Sequence, residues 1–205
     1  MVRYYGPRLK LVRRLGSPLP GLIRVDSDLR RPYPPGQHGP TKRGKLSDFA
    51  LRLREKQKLR YHYGISEKQL KKYMYKAFKG KGNPGLKLLS CLELRLDSVV
   101  FRAGFASTIR FSRQITCHGH IAVNGKKVDI PSYGLKTGDL ITLIEKSKMK
   151  EKINANQKDP ANLAIPSYLE VSDSPPYIKI IVQPAREDTP VIVNEQLIIE
   201  YYSGS

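Results

Sequence analysis

The predicted fold depends on one stretch, LELRLDSVVFRAGFASTIRFSRQITCHGHIAVNGKKVDIPSYGLKTGDLITLI, which runs from Leu92 to Ile144. Its first part has apolar residues at helical spacing and ends at Gly104, a residue type that often follows a helix. Ser107 is placed to cap a second helix that extends to about Cys117. The pair Asn124-Gly125 between short apolar alternations is a strong signal for a tight β-hairpin. The stretch therefore predicts a compact unit of helix, loop, helix and hairpin.

A unit of this kind holds polar side chains on one rigid face, which is what recognition of a folded RNA requires. A carboxylate repels phosphate, so we interpret Asp97 as a residue that orients a neighbouring arginine or caps the backbone. The Gly138-Asp139 turn predicts a further strand at 140–144. The predicted RNA-binding side chains of the stretch are Arg95, Arg102, Ser107, Arg110, Arg113, Gln114, His118, His120, Asn124, Lys126 and Lys127.

The composition makes a polyanion the expected partner. The 205 residues include 37 Lys and Arg against 18 Asp and Glu, a formal net charge of +19 at pH 7. Residues 1–90 hold 23 basic and 5 acidic residues, residues 91–150 hold 10 and 5, and residues 151–205 hold 4 and 8. A solvated domain with an ordinary charged face seldom reaches 23 to 5. We therefore expect the first ninety residues to face phosphates and the last fifty-five to do something else.

Other classes of protein fit the pattern poorly. No apolar run of about eighteen residues is present, and the basic segments are interrupted by Gly and Pro, so a membrane partner is not expected. The N-terminus lacks the apolar core of a signal peptide. Cys91 and Cys117 are too few for a disulfide framework or a four-cysteine zinc site, and we expect both thiols to be reduced and buried. The four histidines show no helical i, i+4 pair, so we predict no metal and no cofactor.

Residues 1–45 carry Gly and Pro at intervals that prevent a long helix or strand, which predicts an extended basic arm. One interpretation is a flexible tail. The other is a segment that becomes ordered on RNA, with Tyr4 and Tyr33 stacking on bases and Arg13 and Arg14 meeting phosphates.

A helix is predicted over about 48–60, with Ser47 as its N-cap. Arg52, Lys56 and Arg60 share one face of this helix. That face is either solvated or in contact with the RNA backbone, and the scarcity of acids nearby in the sequence favours contact.

A second helix is predicted after the capping-box pattern of Ser66 to Gln69, and a glycine-rich segment from Gly80 to Gly85 ends it. Two strands are expected near 169–171 and 177–182, and Asn194 is expected to cap a final helix. The apolar residues that should form the core face of the second helix are Leu70, Tyr73, Met74, Ala77 and Phe78.

Several short motifs occur in the order found in one known family. They are YPPGQHG at 33–39, LREKQKLR at 53–60, RLD at 95–97, FRAGFA at 101–106, SRQ at 112–114, HGHIAVNG at 118–125, IPSY at 130–133 and VNEQLIIEYYS at 193–203. Together they resemble the uS4 family of small-subunit ribosomal proteins over nearly the whole chain. The opening RYYGPRLK at 3–10 and RRLG at 13–16 is similar to the cyanobacterial and plastid branch.

The resemblance implies an α+β fold. A mostly helical domain would hold an inserted RNA-binding module, two helices packed on a small antiparallel sheet, and an extended basic N-terminal arm. The expected divisions are the arm at 1–45, the helical domain at 46–90 completed by 190–205, the module at 91–150, and a strand-containing extension of the module at 151–189.

The resemblance also implies a function. The chain would be a structural constituent of the small subunit that binds 16S-type rRNA at a helix junction, nucleates assembly of the subunit body and helps to maintain translational accuracy. Its expected partners are the rRNA, ribosomal protein uS5, and mRNA at the entrance, for which Lys42, Arg43 and Lys45 are the candidates. Neither catalysis nor a homo-oligomer is expected. Matching motif positions add Arg3, Gln37, His38, Arg54 and Lys58 to the RNA-binding residues.

Two alternatives stay open at this point. A free RNA chaperone or ribosome-associated RNA-binding factor has similar charge and the same module. An enzyme would need a catalytic domain beside the module, for which the sequence offers little room. The branch that the N-terminus resembles implies the chloroplast ribosome, with the bacterial cytoplasm as the alternative.

Overall fold

The computed structural model describes residues 4, 6–23, 31–41, 46–144, 147, 149–157, 164–173 and 176–204. Arg3 and the three mRNA-entrance candidates, Lys42, Arg43 and Lys45, lie outside the described residues. In chain order the elements are α1 (Arg8–Leu15), α2 (Asp48–His62), α3 (Glu67–Lys79), α4 (Pro84–Glu93), α5 (Leu96–Arg102), α6 (Ile109–Cys117), β1 (Ile121–Val123), β2 (Lys126–Lys127), β3 (Leu140–Leu143), α7 (Lys150–Gln157), β4 (Leu169–Asp173), β5 (Pro176–Ile180) and α8 (Glu195–Ser203).

The chain divides into two units. The first, unit 1, comprises residues 1–88 and 190–205, and the second, unit 2, comprises residues 89–189. In the described residues unit 1 is helical, whereas unit 2 combines helices with an antiparallel sheet. The predicted α+β class is confirmed.

Unit 1 is built around the packing of α2 against α8. Local signals explain where α2, α3 and α8 begin, because the N-cap side chain of each of these helices accepts a hydrogen bond from a backbone N–H of the first turn. Ser47 caps α2, Ser66 and Gln69 form the capping box of α3, and Asn194 caps α8, as predicted. The fully buried residues include Leu19, Leu59, Leu70, Met74 and Ile198.

The described residues of the Gly- and Pro-rich N-terminal region include a short helix, α1, that the pattern did not predict. Val12 and Leu15 lie on its buried side, and α1 contacts α2. Gly16 ends the helix with φ 65°, and its N–H donates to the carbonyl of Val12. Burial of two apolar side chains three positions apart favours a helix here despite the surrounding breakers.

Helix α4 ends earlier than the apolar spacing indicates. One helix was expected to run through to Ala103, but α4 and α5 are separated at Leu94 and Arg95. Arg95 is extended and forms a β-bridge with Gly134. This segment also exchanges backbone hydrogen bonds with the loop before β3, in which the N–H of Leu135 donates to the carbonyl of Leu94. The loop supplies backbone partners that the helical periodicity does not reveal.

The cap of α6 is Thr108 and not Ser107, because the Thr108 hydroxyl accepts from the N–H of Phe111 at 3.3 Å. Two burial predictions also differ. Phe78 at the end of α3 is exposed, and Cys117 at the end of α6 is an exposed thiol. Both residues stand in the last turn of a helix.

Within the described residues the sheet of unit 2 has the strand order β2-β1-β3-β5-β4, with every pairing antiparallel. The predicted hairpin is confirmed, since Asn124 and Gly125 both have positive φ, 49° and 77°, as a type I′ turn requires. The apolar residues Val128 and Ile130 after the turn predicted a longer return strand, but β2 ends at Lys127 and Ile130 is exposed. The buried core includes Val99, Phe105, Ile115, Ile121, Ile141, Ile153, Tyr168 and Ile178.

Candidate nucleic-acid interface

The β1–β2 hairpin presents Lys126 and Lys127 to solvent. Its turn is fixed by Asn124, whose side-chain amide donates to Asp139 and whose side-chain oxygen accepts from the N–H of Leu140, each at 2.9 Å. Asn124 is therefore engaged in holding the turn, although it is exposed. A turn held by two side-chain hydrogen bonds keeps the neighbouring lysines in place.

The hairpin lies beside the end of α6. The Lys127 side chain is so close to Gly119 that a Cβ at this glycine would collide with its Cε and Nζ atoms. Gly119 also has φ 71°, which favours glycine. The adjacent His118 is exposed, and its ring centroid is 6.3 Å from that of His120. The hairpin therefore brings the Lys127 ammonium group close to the end of α6, where the two imidazoles lie.

His120 is held more firmly than His118. Its Nδ1 lies 3.1 Å from the hydroxyl of Ser147, and its backbone exchanges hydrogen bonds with Ile115 and Ile144. These contacts tie the end of α6 to the segment after β3. His118 and Gln114, one turn earlier on α6, have exposed side chains, whereas Ser107 and Arg110 are half-buried.

Asp97 lies at the centre of a buried ion cluster. Its side chain is fully buried and accepts two hydrogen bonds from Arg95, at 3.0 and 2.7 Å, and two from Arg113, at 3.0 and 2.5 Å. The hydroxyl of Ser112 donates to the backbone carbonyl of Asp97. Asp97 thus orients Arg113 of α6 and Arg95, which immediately precedes α5, and the interpretation made from its charge is confirmed.

The same cluster changes the status of the two arginines. Arg95 is 2% exposed, so its predicted position on an outer face is wrong. Arg113 keeps 16% of its side chain exposed while it bonds Asp97. Helical spacing did not predict the burial of Arg95, because this residue is extended and does not lie in a helix.

Arg102 is buried in a second polar cluster. Its guanidinium lies 3.7 Å from the Glu93 carboxylate and donates to the backbone carbonyl of Asp188 at 2.6 Å. The hydroxyl of Tyr168 donates to Glu93 at 3.0 Å. Burial raises the pKa of Tyr168, and the nearby Glu93 carboxylate raises it further. At 6% exposure, Arg102 does not lie on the outer face that was predicted for it.

The basic residues of α2 are paired within unit 1. Arg52 forms an ion pair with Glu200 at 2.9 Å, and Arg54 donates to the carbonyl of Leu15. Lys58 pairs with Glu55, one turn before it on the same helix, at 2.6 Å. The scarcity of acids near this helix in the sequence was therefore misleading.

The middle of α2 is held most tightly. Lys56 is 4% exposed, lies 3.1 Å from the Glu67 carboxylate, and donates to the hydroxyl of Tyr201 at 3.2 Å. Arg60 donates to the side chain of Gln57 and lies over the ring of Tyr61. Lys56 is thus a packed residue and not part of a surface.

In the N-terminal region, Arg13 donates to the carbonyls of Tyr33 and Pro34, and its guanidinium carbon lies 5.1 Å from the Tyr33 ring centroid. Tyr4 packs edge-on against Tyr61. Both tyrosines are half-buried by the protein itself. Exposed side chains among the predicted residues of this region are Arg14, Gln37 and His38.

One basic surface was not predicted from the sequence. Helix α3 exposes a row of lysines together with Tyr75. The signal was present, because positions 68, 71, 72, 75 and 79 follow the helical spacing on the side opposite the apolar residues. Only the apolar face of this helix was interpreted from the sequence, as the side that packs in the core.

Two further findings concern metal ligands and membrane-spanning helices in the described part of the chain. It contains no group of three or more His, Cys, Asp or Glu residues able to hold a metal ion. None of its helices combines the length and the apolar character that crossing a membrane requires.

Comparison with known proteins gives two family matches. Residues 3–93 match the ribosomal protein S4/S9 N-terminal domain, and residues 94–141 match the S4 domain. The chain is 49% identical over 203 residues to small ribosomal subunit protein uS4 of Synechocystis sp., and 50% identical over 203 residues to that of Trichodesmium erythraeum. Each alignment covers 99% of this chain and 98% of the relative.

Identity near one half over almost the full length of both chains, together with the two consecutive family matches, agrees with the resemblance carried by the motifs. The uS4 family is a family of structural ribosomal proteins and not of enzymes. The chain therefore belongs to the uS4 family of small ribosomal subunit proteins, in its cyanobacterial type, and is a structural, rRNA-binding constituent of the small subunit.

Proposed function

We propose that the end of α6 and the β1–β2 hairpin form the surface that recognises a folded junction of 16S-type rRNA. The residues that we assign to contact are Gln114, His118, Lys126 and Lys127, which are all exposed. The observation that carries the proposal is the contact of the Lys127 side chain with Gly119, which joins the hairpin to the helix end. Cations held in fixed positions suit recognition of RNA shape.

The buried arginines have a different role in this proposal. Arg95 and Arg102 stabilise unit 2 through Asp97 and Glu93, and we do not assign them to RNA contact. Arg113 links the Asp97 cluster to the surface, since part of its side chain is exposed. Half-buried Ser107, Arg110 and His120, together with Asn124, would support the edge of the interface.

We assign the electrostatic attraction chiefly to the N-terminal region. Arg14, Gln37 and His38 are exposed there, and residues 1–90 carry most of the excess positive charge. The arm at 1–45 and residues 46–90 of the helical domain would hold phosphates, while the module at 91–150 would select the RNA shape. Residues 190–205 complete the helical domain and residues 151–189 extend the module. Neutralisation of phosphates gives affinity without sequence preference.

The finer partners rest on the family resemblance. We propose that the chain nucleates assembly of the subunit body, contacts uS5, and lies near the mRNA entrance with Lys42, Arg43 and Lys45. Residues 151–205 hold 8 acidic and 4 basic residues, a balance that suits a basic protein neighbour. Crosslinking within assembled small subunits tests each contact, and recovery of RNA alone from this segment would contradict the protein contact.

We propose the chloroplast ribosome as the location. The opening motifs resemble the branch that contains the cyanobacterial and plastid proteins, and the cyanobacterial relatives fit a bacterial ribosome equally well. Detection of the chain in ribosomes from isolated chloroplasts would support the proposal. Its presence in ribosomes of a bacterial source would contradict it.

The module surface is tested with the variant Lys126→Ala/Lys127→Ala. We expect weaker binding to a 16S-type rRNA fragment, and a slope of log affinity against log salt that is smaller by roughly 2, about 0.9 for each phosphate contact. The control is Lys136→Ala/Lys179→Ala, which removes two exposed lysines elsewhere in unit 2. An equal loss of affinity in both variants would show that binding depends only on net charge, and it would overturn the assignment.

A further inference from the structure

The outer face of α3 is a candidate binding site that none of the residues assigned above includes. Its members lie within about 100° of one another around the helix, at the spacing i, i+3, i+4, i+7 and i+11. They are Lys68, Lys71, Lys72, Tyr75 and Lys79, and all five are exposed. We call this set the α3 lysine face.

The opposite side of α3 is committed to the core. Leu70, Met74 and Ala77 are buried there. The one acid of the helix, Glu67, is bound by Lys56 and accepts from the hydroxyl of Tyr202 at 2.8 Å. No carboxylate of α3 is left beside the α3 lysine face.

The lysines of this face make no ion pair and no hydrogen bond with the described residues of the chain, which sets them apart from the cations of α2. Four ammonium groups on about 16 Å of helix repel one another unless an anion lies among them. The arrangement therefore has an uncompensated charge that a chain of phosphates would neutralise.

Tyr75 gives the face a second property. It lies in the middle of the lysines and is 62% exposed. The Nζ of Lys79 is 4.6 Å from its ring centroid, so a cation–π contact restrains the ring. An exposed, restrained aromatic ring among cations is the arrangement on which nucleic-acid bases stack.

We propose that the α3 lysine face binds an unpaired segment of the ribosomal RNA, with one base stacked on Tyr75 and the flanking phosphates bound by the lysines. A paired RNA helix would leave Tyr75 unused, because its bases are already stacked and face inward. This surface lies in unit 1, and the inference does not depend on the proposed module interface. Family membership supplies the RNA, which is the partner present in every small subunit.

The first test measures binding of a labelled oligouridylate to the full chain by fluorescence anisotropy. Tyr75→Leu is expected to weaken binding roughly tenfold, whereas Tyr75→Phe keeps the ring and most of the affinity. Lys68→Ala/Lys71→Ala/Lys72→Ala is expected to reduce the salt slope by about 2, or roughly 0.7 for each phosphate.

A matched control separates this face from net charge. Lys136→Ala/Lys150→Ala/Lys179→Ala removes the same number of exposed lysines from unit 2. When Tyr75→Leu is added to this control variant, we expect the same tenfold loss of affinity as in the otherwise unchanged chain. Equal losses from the two triple variants, or wild-type affinity of Tyr75→Leu, would overturn the proposal.

The second test identifies the occupant in assembled particles. A photoreactive benzoylphenylalanine at position 75 is irradiated in reconstituted small subunits, with and without bound messenger. Crosslinks to unpaired rRNA nucleotides are expected in both samples. Crosslinks to a protein alone, crosslinks that require messenger, or their absence would each overturn the assignment to rRNA.

Discussion

Helices α2 and α3 carry the same number of basic residues, five each, and lie in the same unit. Yet the cations of α2 are all engaged, by Glu200, Glu67, Glu55, a backbone carbonyl or the side chain of Gln57. Those of α3 are exposed and make neither ion pairs nor hydrogen bonds with the described residues, with Lys79 lying over Tyr75. Counting charges in the sequence treats these helices as equivalent, whereas the structure does not.

The difference between the paired cations of α2 and the exposed lysines of α3 indicates which residues contribute to phosphate affinity. A cation that already has a carboxylate partner must lose that partner before it gains from binding RNA, so its contribution to affinity is small. Such a cation contributes to folding instead. In unit 2, the arginines of the Asp97 cluster are paired in the same way as the cations of α2. Lys126 and Lys127 of the hairpin are exposed, as the lysines of α3 are.

Removal of the anion from the most buried cluster should have the largest effect. Asp97→Ala leaves Arg95 and Arg113 without their carboxylate, so we expect the free energy of unfolding to fall by about 3–5 kcal/mol. Chemical denaturation measures the loss. The matched control is Asp129→Ala, an exposed acid of the same unit, for which a change within about 0.5 kcal/mol is expected. Similar losses in both variants would break the distinction between paired and free charges.

A direct comparison of the two helices comes next. Lys56→Met removes a buried ammonium group and its bonds to Glu67 and Tyr201, and we expect it to lower the free energy of unfolding by about 1–2 kcal/mol. The salt slope of RNA binding should stay unchanged. Lys72→Met on the α3 lysine face should do the opposite, with little change in denaturation and a smaller slope. If Lys56→Met reduced the salt slope and Lys72→Met did not, Lys56 would have to be counted among the residues that contact RNA.

The Tyr168–Glu93–Arg102 cluster predicts a pH dependence. Burial and the Glu93 carboxylate raise the pKa of Tyr168, so the folded protein keeps a proton that the unfolded chain releases near pH 10. Stability from this group is therefore present below about pH 10 and is lost as the pH rises above it, by at most about 1.4 kcal/mol per pH unit. Urea denaturation should show a shallower alkaline decline in Tyr168→Phe than in the wild type. Parallel declines would mean that the cluster does not hold the phenol proton.

The smallest effect is expected for the exposed pair on α2. Arg52 and Glu200 keep 40% and 37% of their side chains exposed, so Arg52→Ala should cost about 0.2–1 kcal/mol and less at high salt. Thermal or urea denaturation at two salt concentrations measures this. A cost as large as that of Lys56→Met would show that exposure does not separate strong pairs from weak ones.

Features set by residues close together in sequence were predicted well. The caps at Ser47, Ser66 and Asn194 each satisfy a backbone N–H two or three positions away, and the positive φ values at Asn124-Gly125 belong to a two-residue turn. The motifs that identified the family are likewise continuous strings. Local geometry and short-range hydrogen bonding are encoded by neighbouring residues, so the sequence is sufficient for them.

Which charges are free was decided by the tertiary structure. Arg52 and its partner Glu200 are separated by 148 positions, Lys56 and Tyr201 by 145, and Arg113 and Asp97 by 16. The break before α5 likewise depends on a bridge from Arg95 to Gly134. By itself the sequence determined the α+β class, the caps, the hairpin, the family and the excess of cations. The fold then determined which cations remain available, because an ion pair needs its partner within a few ångströms and chain order does not specify that distance.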